Sequence, residues 1–256
     1  MTNQEILNIA LAQSAEDLAC TPEDFLKNEN VIVISKENAN ARRYLTLPFF
    51  CQLASYGSNI VASVDPALTE IVSDYINRYE FYHCFETPNM LALQSKLHPF
   101  GLDICFMAEY FLPDVDRLQA RPCPFALRVL TPSDFASLYL PQWSNSLCEK
   151  RKHLDMLAVG AYDGETLVGL AGCSADCETM WQIGIDVLPA YRKRGVASAL
   201  TSRLAIEALN RGKVPFYCCA WSNIASARNA IRSGFRPAWV EMTAKPTEFI
   251  QSMNES

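Results

Sequence analysis

Val187-Leu188-Pro189-Ala190-Tyr191-Arg192-Lys193-Arg194-Gly195-Val196-Ala197-Ser198 is the stretch on which the reading of this chain turns. Trp181 to Leu188 alternates, with Trp181, Ile183, Ile185 and Val187 on one face and Gln182, Gly184 and Asp186 on the other, which predicts a strand. Val196, Leu200, Leu204 and Ala208 then recur at helical spacing over 196–210. Between the two lies a basic turn with a glycine. Small residues at Gly195 and Ala197 let backbone approach a ligand, and the new helix offers unpaired N–H groups and a favourable dipole. With Arg192, Lys193 and Arg194 adjacent, the segment has the chemistry of a pyrophosphate cradle. It carries neither G-x-G-x-x-G nor G-x-x-x-x-G-K-[ST].

Charge supports an anionic ligand at this place. The protein is acidic, with a net charge of -6, yet residues 187–240 hold nine basic residues against one acid, Glu207. Residues 1–124 carry eight basic and sixteen acidic residues, and 125–256 carry fourteen and twelve. An excess of positive charge confined to one short region suits a small anion; nucleic acid is not expected, because the patch is short and the chain acidic.

The surrounding pattern alternates strands and helices. Phe125 to Leu130 reads as a strand, and Thr131-Pro132-Ser133-Asp134 as a helix start. Met156 to Tyr162, Asp163-Gly164, and Leu167 to Cys173 read as a β-hairpin. Val214 to Trp221 is a further strand, Asn223 can cap a helix ending at Gly234, and Ala238 to Thr243 closes with a strand. Upstream, 3–19 and 67–79 read as helices, and 31–34, 49–54, 60–64 and 104–111 as strands. The proline-bearing stretch 112–124 marks a boundary, so the expected division is 1–120, an N-terminal α/β domain, and 125–256.

Arg192-x-x-Gly195-x-Ala197 resembles the R/Q-x-x-G-x-G/A acyl-CoA motif of the GNAT-superfamily N-acetyltransferases. Val187, five residues before Arg192 and followed by Pro189, matches that family's fourth strand. Asn223-x-x-Ser226-x-x-x-Ala230-x-x-x-Gly234-Phe235 resembles its second block, and the hairpin at 156–173 and Leu127 to Leu130 match its element order. The resemblance covers about residues 125–245. It implies an α/β fold, a mostly antiparallel sheet with splayed central strands flanked by helices, beside the smaller N-terminal α/β domain. It further implies acetyl-CoA as co-substrate, with pyrophosphate on the amides of Arg194, Gly195, Val196, Ala197 and Ser198 and charge from Arg192 and Lys193. The thioester carbonyl would face the amide of Val187, and Asn223, Ser226 and Arg228 would lie along the pantetheine.

The chain departs from the family where protons move. A tyrosine is common seven residues after the Asn, where this chain has Ala230; a glutamate base five residues before it would fall at Cys218. Asp186 and Glu178 are therefore the candidate bases, and Tyr217 or Cys219 could supply a proton. The activity implied is acetyl transfer to a primary amine of a small molecule or peptide. The alternative is a silent acyl-CoA-binding module, and a homodimer is one assembly open to it.

Composition excludes other classes. Half the residues are hydrophobic and 20% charged, enough for a core and unlike a disordered chain. No apolar run approaches the roughly 18–20 residues of a spanning helix, and MTNQEILNIALAQSAEDLAC lacks the layout of a secretory signal, so no membrane association and a cytoplasmic location are expected. The ten cysteines are scattered and read as reduced thiols. Cys173-x-x-x-Cys177 with Asp176 and Glu178 lacks a second ligand pair, so no metal is expected. His83-Cys84 beside Glu86 would point to opposite faces of a strand and cannot pair as base and nucleophile.

Overall fold

Where apolar residues recur at intervals of two or near 3.6, the chain forms the elements that spacing dictates. The structure, a computed structural model, describes residues 1–255. In chain order it contains α1 (Asn3–Leu18), β1 (Val31–Ile34), β2 (Cys51–Ser55), β3 (Val61–Val64), α2 (Thr69–Ile76), α3 (Thr87–Leu97), β4 (Leu102–Pro113) and β5 (Ala126–Leu130). There follow β6 (Asp155–Asp163), β7 (Thr166–Ser174), β8 (Met180–Val187), α4 (Val196–Asn210), β9 (Val214–Ala220), α5 (Ile224–Arg232), β10 (Phe235–Pro246) and α6 (Thr247–Asn254). The chain packs as two compact units, residues 1–10 with 110–237 and residues 11–109 with 238–256.

In the first unit the strands run β9–β8–β7–β6–β5. β5 to β8 are antiparallel to their neighbours, and β8 with β9 is parallel. The hairpin between β6 and β7 turns at Gly164, whose φ of +60° favours glycine. On one face α4 buries Val196, Leu200, Leu204 and Ala208 against Val159, Val168, Ile183 and Tyr217. Each such leucine contributes about 1.5–3 kcal/mol by leaving water. On the opposite face the connection from β5 to β6 seats Phe135, Trp143 and Leu147 against Ala158 and Leu170.

That connection is not the helix expected from Thr131-Pro132-Ser133-Asp134. The N–H and hydroxyl of Thr131 donate to Asp134 (2.8 and 2.7 Å) and Phe135 N–H reaches Thr131 O, closing one turn that does not propagate. Short 3₁₀ turns at Pro141–Trp143 and Glu149–Leu154 follow instead. Pro141 lies inside the segment and cannot continue a helix through it, so residues 135, 143 and 147 reach the core along an irregular path.

The second unit orders its strands β1–β3–β2–β10, with β1 parallel to β3 and the other pairs antiparallel. Leu53, Ile60, Ala62, Val72, Ile76, Leu93 and Met242 form its core with α2 and α3. Asp17 and Arg42 pair while almost wholly buried, and the guanidinium lies 5.5 Å from the Trp239 ring. The segment holding His83 and Cys84 is a 3₁₀ turn, Phe81–Phe85, and not a strand. Cys84 is buried there, which pushes its thiol up to about 11.

Candidate functional site

β8 and β9 separate where the motif begins. Their pairing runs from Met180↔Val214 to Ile183↔Tyr217 and ends, while β8 continues to Val187 and β9 to Ala220. Beyond the gap, Lys193 (φ +60°) and Gly195 (φ +82°) both take left-handed backbone. Gly195 precedes α4, and Ala199 N–H donates to its carbonyl at 3.1 Å. The amides of Val196, Ala197 and Ser198 therefore come ahead of the first intrahelical bond, the arrangement that attracts anions.

The side chains of the turn divide their work. Arg192 Nε donates to the carbonyl of Val187 at 2.9 Å, tying the turn to the free end of β8. The Arg194 guanidinium lies 4.7 Å from the Phe125 ring and 5.8 Å from Tyr191. Arg192, Lys193, Arg194 and Gly195 are exposed, and a Cβ at 195 would meet no heavy atom nearer than Pro122 O at 3.9 Å. Glycine is needed at 195 for its φ, not for space.

Asn223 Oδ1 accepts from Ser226 N–H at 3.1 Å and caps α5. Ser226 Oγ lies 2.7 Å from the hydroxyl of Tyr217, so a phenol reaches α5 from β9. Burial pushes that phenol up. Ala230 is fully buried in the core beneath α4, where a tyrosine ring would have to displace packed side chains. Arg228 is exposed on α5.

The two carboxylates expected as candidate bases sit in different surroundings. Asp186 Oδ2 accepts from the N–H groups of Asn145 and Ser146 and from Ser146 Oγ, and Oδ1 accepts from Asn145 Nδ2, all within 2.7–3.0 Å. Its accepting capacity is committed to the segment crossing the sheet. Glu178 is exposed before β8, and its carbonyl accepts from Lys213 Nζ. The length of β8 separates it from Val187, so it is not gathered with residues 187–198. Among the candidate metal ligands, Asp176 is buried and holds Arg151 and Ser174.

The sequence reading missed a polar cavity of about 250 Å³ lined by Ser144 to Ser146, Cys148, Arg151, Asp155, Gly172, Ser174 and 182–184. Its only advance signal was two glycines inside strands, which mark close backbone approach. A Cβ on Gly184 would sit 1.7 Å from Asn145 O, and one on Gly172 2.1 Å from Ser146 O. Asp155, 3% exposed, accepts at Oδ2 from Tyr139 OH (3.0 Å) and Cys148 N–H (2.9 Å). Burial raises its carboxyl above the ordinary aspartate value.

Residues 119–235 match the sequence model of the acetyltransferase (GNAT) family. No curated protein matches the chain. Among solved structures it is similar to a GNAT-family protein of Novosphingobium aromaticivorans DSM 12444 at 18% identity and TM-score 0.45, over 56% of this chain and 66% of that one. An acetyltransferase from the GNAT family of Colwellia psychrerythraea aligns at 14% identity and TM-score 0.42, over 56% and 57%. A GCN5-related N-acetyltransferase-like protein of Streptococcus suis 89/1591 aligns at 16% and 0.46, over 76% and 83%. The chain thus spans less than two thirds of the first two structures. Over residues 119–235 the chain is therefore similar to the acetyltransferase (GNAT) family.

Proposed function

We propose that the protein transfers an acetyl group from acetyl-CoA to a primary amine of a small molecule or peptide, with 125–256 as the working domain and 1–120 as an accessory one. One observation carries the reading: β8 parts from β9 and leads into a basic turn whose left-handed Lys193 and Gly195 precede unpaired helix amides. The family match over the same residues agrees with it. The amides of 194–198 would hold the pyrophosphate, with Arg192, Lys193 and Arg194 supplying charge. The unpaired edge of β8, through the Val187 amide, would face the acyl oxygen, and Asn223, Ser226 and Arg228 would flank the pantetheine. Acetyl-CoA supplies a thioester that a neutral amine attacks. Asp186 would act on this chemistry by holding the 144–147 segment, and Tyr217, hydrogen-bonded to Ser226, would give a proton on the leaving-group side. Ten free thiols suit a reducing compartment, so we place the protein in the cytoplasm.

Calorimetry with CoA tests the cradle. Gly195→Glu puts a carboxylate among the amides and is expected to weaken binding by about 1.4 kcal/mol, tenfold in Kd, or more. Unchanged affinity would remove the assignment. Thiol release over a panel of amines separates an enzyme from a silent acyl-CoA-binding module, which would bind CoA and release none.

A further inference from the structure

Around the cavity beside the parted strands the side-chain hydroxyl and amide donors are already engaged with the protein. Ser146 Oγ shares its one proton between Leu170 O and Asp186, Ser174 Oγ donates to Asp176, Asn145 Nδ2 to Asp186, and Gln182 Nε2 to Cys218 Sγ at 3.2 Å. The guanidinium of Arg151 faces the buried carboxylate of Asp176. The acceptors are in surplus. Asp155 uses Oδ2 for Tyr139 and Cys148, and its Oδ1 has no hydrogen-bond partner among the described residues. The same holds for Gln182 Oε1 and Asn145 Oδ1.

These acceptors are ordered across the sheet. Asp155 pairs with Ser174 and Ser174 with Gln182, one row over β6, β7 and β8. The row lies two residues along β8 from Gly184, the first position past the β8–β9 pairing. From strand spacings, Asp155 is roughly 12 Å from Gly184. The cavity volume, about 250 Å³, has room for roughly eight waters or one small polyfunctional molecule.

We infer that this cavity binds the body of the acyl acceptor, and that the acceptor is an amine bearing several further N–H or O–H donors, with Asp155 Oδ1 as its anchoring acceptor. A ligand donor that meets the open Asp155 Oδ1 gains a charge-assisted hydrogen bond that an alkyl chain cannot make, so a donor-rich amine is favoured over an alkyl amine of the same length. A polyamine and an amino sugar share this chemistry. The inference rests on the acyl-transfer reading for its place in the reaction, though not for the binding itself.

The test uses the full chain with spermidine, glucosamine and butylamine, scored by thiol release at saturating acetyl-CoA and by calorimetry without it. Spermidine or glucosamine should be preferred to butylamine, and whichever is preferred names the source of the donors. Asp155→Asn turns the Oδ1 lobe into a donor or misdirects Tyr139, and Gln182→Leu removes an acceptor while leaving Asp155 in place. Each should raise KM for the preferred amine about tenfold, the scale of a hydrogen bond to a charged or buried group, with CoA affinity unchanged. Equal effects on butylamine, or preserved KM in a folded Gln182→Leu protein, would overturn the inference. Binding of spermidine or glucosamine that is lost in Asp155→Asn, in a protein that releases no thiol, would support the cavity and sink the acetyltransferase reading instead.

Discussion

Gly172 and Gly184 lack a left-handed backbone, yet neither tolerates a side chain, because the carbonyls of Ser146 and Asn145 rest 2.1 and 1.7 Å from where a Cβ would be. The missing methyl lets residues 144–147 lie on the sheet, and Asp186 fastens them with four accepted hydrogen bonds. Gly184→Ala should displace the segment and cost about 1–3 kcal/mol, as overpacking does, read as a lower urea midpoint. Asp186→Ala should cost a similar 1–3 kcal/mol, roughly one unsatisfied polar group's worth. If Asp186 were instead a proton acceptor with no holding role, its removal would lower turnover and leave the midpoint unchanged. Gly195 presents the opposite case, open space with φ +82°. Gly195→Ala should therefore cost about 1–2 kcal/mol from backbone strain alone.

At the scale of elements, caps and clasps decide where helices begin. Asn223 satisfies Ser226 N–H at the start of α5, and Asn223→Ala should cost about 1 kcal/mol by thermal or urea unfolding. α6 is held at its first residue. Thr247 N–H donates to Gly101 O at 2.9 Å and its hydroxyl to Asp103 Oδ2, a carboxylate that also faces His98 Nδ1 at 3.0 Å and Gln94. The Thr247 hydrogen bond is the largest influence holding the Asp103 carboxyl below its ordinary value of 3.8. A depressed carboxyl stabilises the fold above the unfolded value and loses that contribution as pH falls through the folded one. Urea midpoints followed downward from pH 5 should therefore fall more steeply in the parent than in Asp103→Asn. Parallel profiles would show that the clasp adds nothing.

At the scale of the molecule, each compact unit draws on distant parts of the chain. Cys51–Ser55 pairs with 240–244 of β10, and Met242 and Ala244 complete a core otherwise built from residues 51–102. Residues 11–109 alone would leave β2 with a bare edge and Leu53 without those neighbours. That fragment should lack cooperative unfolding by circular dichroism, and joining 238–256 to it by a flexible linker should restore a transition. A sharp transition in 11–109 without the extra segment would refute this dependence.

The local elements were legible because they obey short-range rules. Helix 196–210, strands 31–34 and 60–64, the 163–164 turn and the Asn223 cap follow from periodicity, a glycine and one side-chain acceptor within three residues. The cradle was legible for the same reason, since a turn and the first residues of a helix are contiguous. The irregular path of 131–154, the buried Asp17–Arg42 pair and the polar cavity were not, because they depend on partners such as Arg42 for Asp17, Asp186 for Asn145 and Asp176 for Arg151, which lie 25 to 41 residues away in the chain. The commitment of Asp186 to Asn145 and Ser146 belongs to this second class. Its alternation put it on the correct face of β8, but only the folded connection could decide whether donors or open space lay in front of it. Hydrogen bonding across a sheet is a property of what packs there, and nothing within a strand's own residues encodes it.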